Sequence, residues 1–202
     1  MPRLFTALEV PQTVALELSR LRGGLPGARW IDQANYHITL RFIGDVEGHV
    51  ARDIAAVLDD VSAMDFDIEL TGLDSFGGKK PHSVYAKVAK TDGLMTLQAD
   101  IERAVKRIGL PPETRKFTPH VTVARLKSAS PADVATYLSQ NGGFQTMRFT
   151  AERFVLYSSR ASRGGGPYIV EADYPFDNIG DYAGIYDEYD EAGGTFESEY
   201  RF

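Results

Sequence analysis

Tyr36-His37-Ile38-Thr39-Leu40-Arg41-Phe42-Ile43 and Pro119-His120-Val121-Thr122-Val123-Ala124-Arg125 decide how this 202-residue chain is read. Both are short runs rich in β-branched and apolar residues, and successive side chains of a strand point to opposite faces. Alternation puts Ile38, Leu40 and Phe42 on one face of the first strand, which should be core. His37, Thr39 and Arg41 share the other. In the second run Val121 and Val123 face the core while His120 and Thr122 face away from it. A single H-x-T-x arises readily by chance, and a lone strand histidine is usually structural. Two copies 83 residues apart, with the same facing, carry far more weight.

An imidazole titrates near neutral pH, so one ring can take a proton from water while another gives one to a departing oxygen. The two threonine hydroxyls can hydrogen-bond non-bridging oxygens as charge develops on them. Such a set suits acid–base work on a phosphate ester. It needs no metal and no other cofactor.

The motifs with their flanks, NYHITLRFIG at 35–44 and FTPHVTVARL at 117–126, resemble the 2H phosphoesterases. Within that superfamily the resemblance is to the bacterial and archaeal RNA 2′,3′-cyclic phosphodiesterases, historically called 2′-5′ RNA ligases. It extends over about residues 1–175 and includes RLFTALEVP at 3–11 and ARWIDQANYHITL at 28–40. The resemblance implies a two-lobed, pseudo-symmetric α+β fold, with antiparallel sheets around a central cleft and helices outside. It also implies metal-independent hydrolysis of an RNA 2′,3′-cyclic phosphate end to a 2′-phosphate. His37 would then protonate the leaving 3′ oxygen, His120 would accept a proton from water, and Thr39 and Thr122 would hold the phosphate. Arg125 matches the family's arginine after the second motif. Simple alternation puts Arg125 on the core side, so it needs a bulge or a strand end to reach the cleft. Arg41 is a phosphate candidate by geometry alone, since alternation gives it the His37 face.

The implied partners are RNA ends carrying a cyclic phosphate, or small cyclic nucleotides, with no membrane and a monomeric enzyme. Three other readings stay open. The same groups could run the ligase direction, with an RNA 5′-hydroxyl in place of water. The cleft could bind RNA ends or nucleotides without turnover. The histidines could be metal ligands, although no neighbouring Asp/Glu–His cluster supports that.

Composition bounds these readings. The chain is 43% hydrophobic and 25% charged, as an ordinary globular protein is. It has no apolar run of 18 residues and no signal-peptide pattern, and a cytoplasmic location is expected. Zero cysteines exclude disulfides and thiolate chemistry. The net charge of −6 is unevenly spread: residues 177–202 hold eight acidic groups and one Arg, leaving 20 acidic and 21 basic groups in 1–176. We therefore expect a domain over 1–176 and an acidic Tyr/Gly-rich tail over 177–202. A near-neutral body argues against a broad grip on long nucleic acid and for contact with a few nucleotides at an end.

Elsewhere, periodicity predicts strands over Leu4–Val10, Phe66–Leu73, Ser83–Ala89, Phe144–Ser158 and Pro167–Tyr174. Helices are expected over 11–22 (with Val14, Leu16, Leu18 and Leu21 apolar), 47–62, 92–108 and 131–139. Trp30 should pack under the His37 strand. Phe76, in the loop before Pro81, could stack on a base. His49 and His82 read as surface residues. The glycine-rich 158–166 stretch lacks the Lys-Ser/Thr end of a P-loop.

Overall fold

Thr91 opens the longest helix by accepting the Leu94 amide at 3.4 Å, and Leu94, Leu97, Ile101, Ala104 and Val105 then bury one face of it at helical spacing. Ser130 and Asp133 close a capping box at the start of another helix. These local signals recur along a computed structural model that describes residues 1–144, 146–159 and 167–177. In chain order the elements are β1 (Arg3–Glu9), α1 (Gln12–Ser19), β2 (Ala28–Trp30), β3 (His37–Asp45), α2 (Gly48–Asp59), β4 (Phe66–Phe76) and β5 (Ser83–Val88). They continue with α3 (Asp92–Arg107), β6 (His120–Leu126), α4 (Pro131–Gln140), β7 (Met147–Ala151), β8 (Arg153–Ser159) and β9 (Tyr168–Pro175).

The strands form one antiparallel sheet in the order β7-β4-β5-β6-β3-β1-β8-β9, with β2 beside β6. Its two halves are alike: β3 is flanked by β1 and then β8, and β6 by β5 and then β4. They meet at β3 and β6 through a single residue pair, Ile38 with Val121. One side of this seam packs into the core with Ile54, Leu58, Leu97 and Ile101. The other side is open.

Several expectations need correction. The long strand over Phe144–Ser158 is two strands, β7 paired to β4 and β8 paired to β1, separated by Glu152. Leu16 is exposed, and Ala15 takes its place in the core beside Val14 and Leu18. Trp30 lies in β2, which pairs with β6 rather than with the His37 strand, and its ring is 5.8 Å from Tyr137. Phe42 is 39% exposed where alternation made it core, and Arg41 is only 6% exposed where alternation put it on the open face.

The last correction has a definite cause. In the β1–β3 ladder Ala7 pairs with Thr39 and Thr6 with Arg41, so Leu40 is an extra residue. A bulge of this kind turns the following side chains over. Leu40 and Arg41 are consequently both buried, and Phe42 emerges on the open side. The glycine-rich segment at 160–166 and the acidic tail from 178 onward lie outside the described residues.

Candidate active site

The same irregularity occurs in the second half. Tyr85 pairs with Thr122 and Val84 with Ala124, leaving Val123 as the extra residue in β6. Val123 and Ala124 are buried in succession, and Arg125 is exposed. This is the bulge that Arg125 needed. His37, Thr39 and Phe42 from β3, with His120, Thr122 and Arg125 from β6, line one cleft of about 840 Å³. Its other walls include Phe76, Ser83, Lys116 and Tyr168.

Each imidazole is held by its own backbone two residues back. His37 Nδ1 donates to the Asn35 carbonyl at 2.8 Å, and His120 Nδ1 donates to the Thr118 carbonyl at 2.7 Å. A carbonyl only accepts, so Nδ1 carries the hydrogen and Nε2 of the neutral ring is the lone-pair nitrogen. A one-turn 3₁₀ helix over Gln33–Asn35, opened by Asp32 accepting the Ala34 amide at 3.0 Å, places the Asn35 carbonyl. On the other strand Pro119 lies between Thr118 and His120.

Aromatic rings wall each histidine. Phe5 and Tyr168 lie 5.1 Å from His37 between ring centroids. Phe76 and Tyr85 approach His120 edge-on at 4.9 and 5.2 Å. Phe76 also stacks on Tyr85 at 4.1 Å, so this ring is a wall for His120 as well as part of the cleft lining. Burial disfavours the charged imidazole and pulls His37 down to about 4, with repulsion from His120 and Arg125 adding to it. His120 is lowered too, first by burial and then by Arg125. The Arg125 guanidinium thus bears on both rings, and His120 on His37. His82 lies at the cleft edge, stacked 6.2 Å from Phe76, whereas His49 is exposed on α2 beside Glu47.

The shift of His37 makes stability pH-dependent with a definite sign. Its ordinary value is 6.5 and its folded value about 4, so the unfolded chain binds the proton more readily between those limits. The stabilising contribution is complete above pH 6.5 and is lost as the pH falls towards 4. With the ring partly exposed, this amounts to on the order of 2 kcal/mol. Urea unfolding at pH 7 and pH 4 should therefore show a smaller loss in a His37→Gln variant than in the wild type. Equal losses would mean that the ring is not desolvated.

Arg41 is 6% exposed after the bulge, yet it still lines the cleft, together with Glu102, Glu113 and Arg115. Its guanidinium sits in an ion pair with Glu102, Nε to Oε2 at 2.5 Å, at an angle outside that of a hydrogen bond. Phe42 was missed as a site residue for the same reason. The exposed position five residues after the histidine is Phe42 on one strand and Arg125 on the other.

Two histidine–threonine strands, each followed by a bulge, thus face one cleft. The family model described as the 2′-5′ RNA ligase superfamily matches residues 10–163, and the chain belongs to that superfamily. It is 39% identical over 119 residues to an Aeropyrum pernix protein, an alignment covering 55% of this chain and 67% of the relative. With a Thermotoga maritima protein it shares 29% over 182 residues, covering 87% of this chain and 96% of the relative. Both relatives are named RNA 2′,3′-cyclic phosphodiesterase. Among solved structures, E. coli LigT complexed with 3′-AMP matches with a TM-score of 0.71 at 22% identity, over 87% of this chain and 99% of LigT. A Thermus thermophilus protein matches with a TM-score of 0.73 at 21% identity, over 88% of this chain and 99% of that one. The structural matches bear on the fold alone.

Proposed function

We propose that this chain is an RNA 2′,3′-cyclic phosphodiesterase that opens cyclic phosphate ends to 2′-phosphates with two imidazoles. The observation that carries the reading is the pair of carbonyl-tethered histidines in one cleft, with Thr39, Thr122 and Arg125 beside them. The family membership and the names of the relatives point the same way.

The two bulges also supply an asymmetry that spacing lacked. Arg125 puts the positive charge on the His120 side, which draws the phosphate there. Phe42, with the Arg3 guanidinium 5.9 Å from its ring centroid, gives the His37 side an exposed aromatic side chain suited to a nucleobase. The scissile 3′ oxygen belongs to the ribose, so it lies towards His37, and the attacking water lies towards His120. His37 is then the proton donor and His120 the acceptor. A neutral His120 at pH 7 is ready to take a proton from water. His37 must be charged to act, and the anionic substrate raises its proton affinity on binding. Thr39 and Thr122 donate to the non-bridging oxygens. Substrate binding should therefore take up a proton, seen by calorimetry in buffers of different ionisation enthalpy. A binding heat independent of buffer would contradict this step.

Phe42→Ala should raise KM for an RNA end about tenfold, from the loss of one stacked base. Hydrolysis of ribose 2′,3′-cyclic phosphate, which has no base, should stay within about twofold of wild type. An equal effect on both would remove Phe42 from base recognition.

Among the described residues no helix is long and apolar enough to cross a membrane. We propose a cytoplasmic location, in keeping with a chain that has no cysteine, and a monomeric enzyme. The test of the function is incubation with a short RNA carrying a 2′,3′-cyclic phosphate, in EDTA, with excess 5′-hydroxyl RNA present. Conversion to a 2′-phosphate is expected. A joined 2′-5′ strand as the main product would favour the ligase direction, and binding without turnover would favour an end-binding module.

A further inference from the structure

A nearly buried cation in the wall of the catalytic cleft must have partners, and those of Arg41 join three parts of the chain. Nε lies 2.5 Å from Glu102 Oε2 on α3. Nη2 donates to the Pro111 carbonyl at 2.5 Å, and Nη1 donates to the Phe42 carbonyl and lies 3.8 Å from Glu113 Oε2. The Glu113 amide donates to Glu102 Oε1 at 3.0 Å. Glu113 also accepts from the Arg115 backbone amide at 3.0 Å, from its Nε at 3.1 Å and from its Nη2 at 2.8 Å. One guanidinium thus gathers the bulge of β3, the middle of α3 and the connection from α3 to β6. That connection includes Thr118, whose carbonyl holds His120.

Direct pairing between the two catalytic strands is confined to Ile38 and Val121. A single pair fixes one point and leaves the strands free to pivot about it. The Arg41 cluster supplies a second attachment between the His37 strand and the segment that aims His120. The matching position on β6 is Ala124, so the attachment is built on one strand only. We infer that Arg41 is a positioning residue that sets the separation of the two imidazoles through Glu102, Pro111 and Glu113. The inference rests on the phosphodiesterase reading above. Removing the guanidinium leaves the Glu102 carboxylate without its cation, a costly state that is relieved by movement of the connection. Misplacing a reacting group by about 1 Å can cost about 10²-fold in rate.

The test compares Arg41→Met, Arg41→Lys and Glu102→Gln. It measures kcat and KM on cyclic-phosphate RNA, and the ring resonances of ¹³C-labelled histidine. Arg41→Met should lower kcat by about 10- to 100-fold, with KM within about threefold of wild type, and should move the His120 resonance. Arg41→Lys should recover part of the rate, and Glu102→Gln should act in the same direction as Arg41→Met. Arg41→Met combined with Glu102→Gln should be no worse than Arg41→Met alone, because both cut the same link. An unchanged kcat with an unmoved His120 resonance would overturn the proposal. So would a tenfold weaker binding of a 2′-mononucleotide with kcat intact, which would make Arg41 a direct phosphate ligand. If Arg41→Met fails to fold, the other two variants decide the matter. The resonance needs no turnover, so a wild type inert towards every cyclic phosphate would refute the function while the His120 shift still tested the link.

Discussion

Alanine at either His37 or His120 is expected to lower hydrolysis of a 2′,3′-cyclic phosphate by about 10²- to 10⁴-fold, with substrate binding largely retained. The two losses should differ in kind. A 2′,3′-cyclic phosphate with sulfur in place of the bridging 3′ oxygen has a leaving group that departs without a proton. His37→Ala should therefore regain most of its rate on that substrate, and His120→Ala should not. Equal loss of rate on both substrates in His37→Ala would contradict its role as proton donor. Rescue of His120→Ala alone would reverse the two assignments. Both variants can be checked for intact packing by the near-ultraviolet signal of the aromatic walls, since Phe5, Tyr168, Phe76 and Tyr85 surround the altered rings.

The second large effect is expected at Arg125. In the proposed mechanism Arg125, an exposed cation on the β6 side of the cleft, stabilises the charge that builds on the phosphate in the transition state. Arg125→Ala should lower kcat by about 10²- to 10³-fold, the range seen when one preorganised donor is removed from an oxyanion site. Arg125→Lys should recover only part, because an ammonium cannot offer the paired donors of a guanidinium. The substitution should also relieve repulsion on both imidazoles, moving His37 and His120 back towards ordinary values. A histidine titration unchanged by Arg125→Ala would place the guanidinium away from the rings. Turnover unchanged by it would remove Arg125 from the reaction.

Much of this arrangement is legible in the chain, and what is not has a physical reason. Alternation carries His37, Thr39, His120 and Thr122 to one open face because the strands are regular as far as each threonine. It fails immediately afterwards, at Leu40-Arg41 and at Val123-Ala124, where an extra residue enters the strand. No glycine or proline marks either bulge, and at Leu40-Arg41 the alternation of apolar and polar residues runs on unbroken through Phe42, so the pattern of polarity hides the extra residue. Arg41, Phe42 and Arg125 all change sides as a consequence. The need for a bulge at Arg125 could be stated from the sequence, but its existence depends on the register with β5. The walls of the two histidines were hidden for a different reason. Phe5, Tyr85 and Tyr168 come from strands far away in the chain, and only sheet order brings them to the rings. The break at Glu152 was likewise unmarked, since Phe144–Ser158 is continuously strand-like while its two parts pair with different neighbours.

The most direct test follows the 3′ end of a short RNA carrying a 2′,3′-cyclic phosphate, incubated in EDTA with the wild type, His37→Ala and His120→Ala. The two-imidazole mechanism predicts a 2′-phosphate from the wild type and an intact cyclic end with either variant. A 3′-phosphate product, or either variant turning over at the wild-type rate, would contradict it.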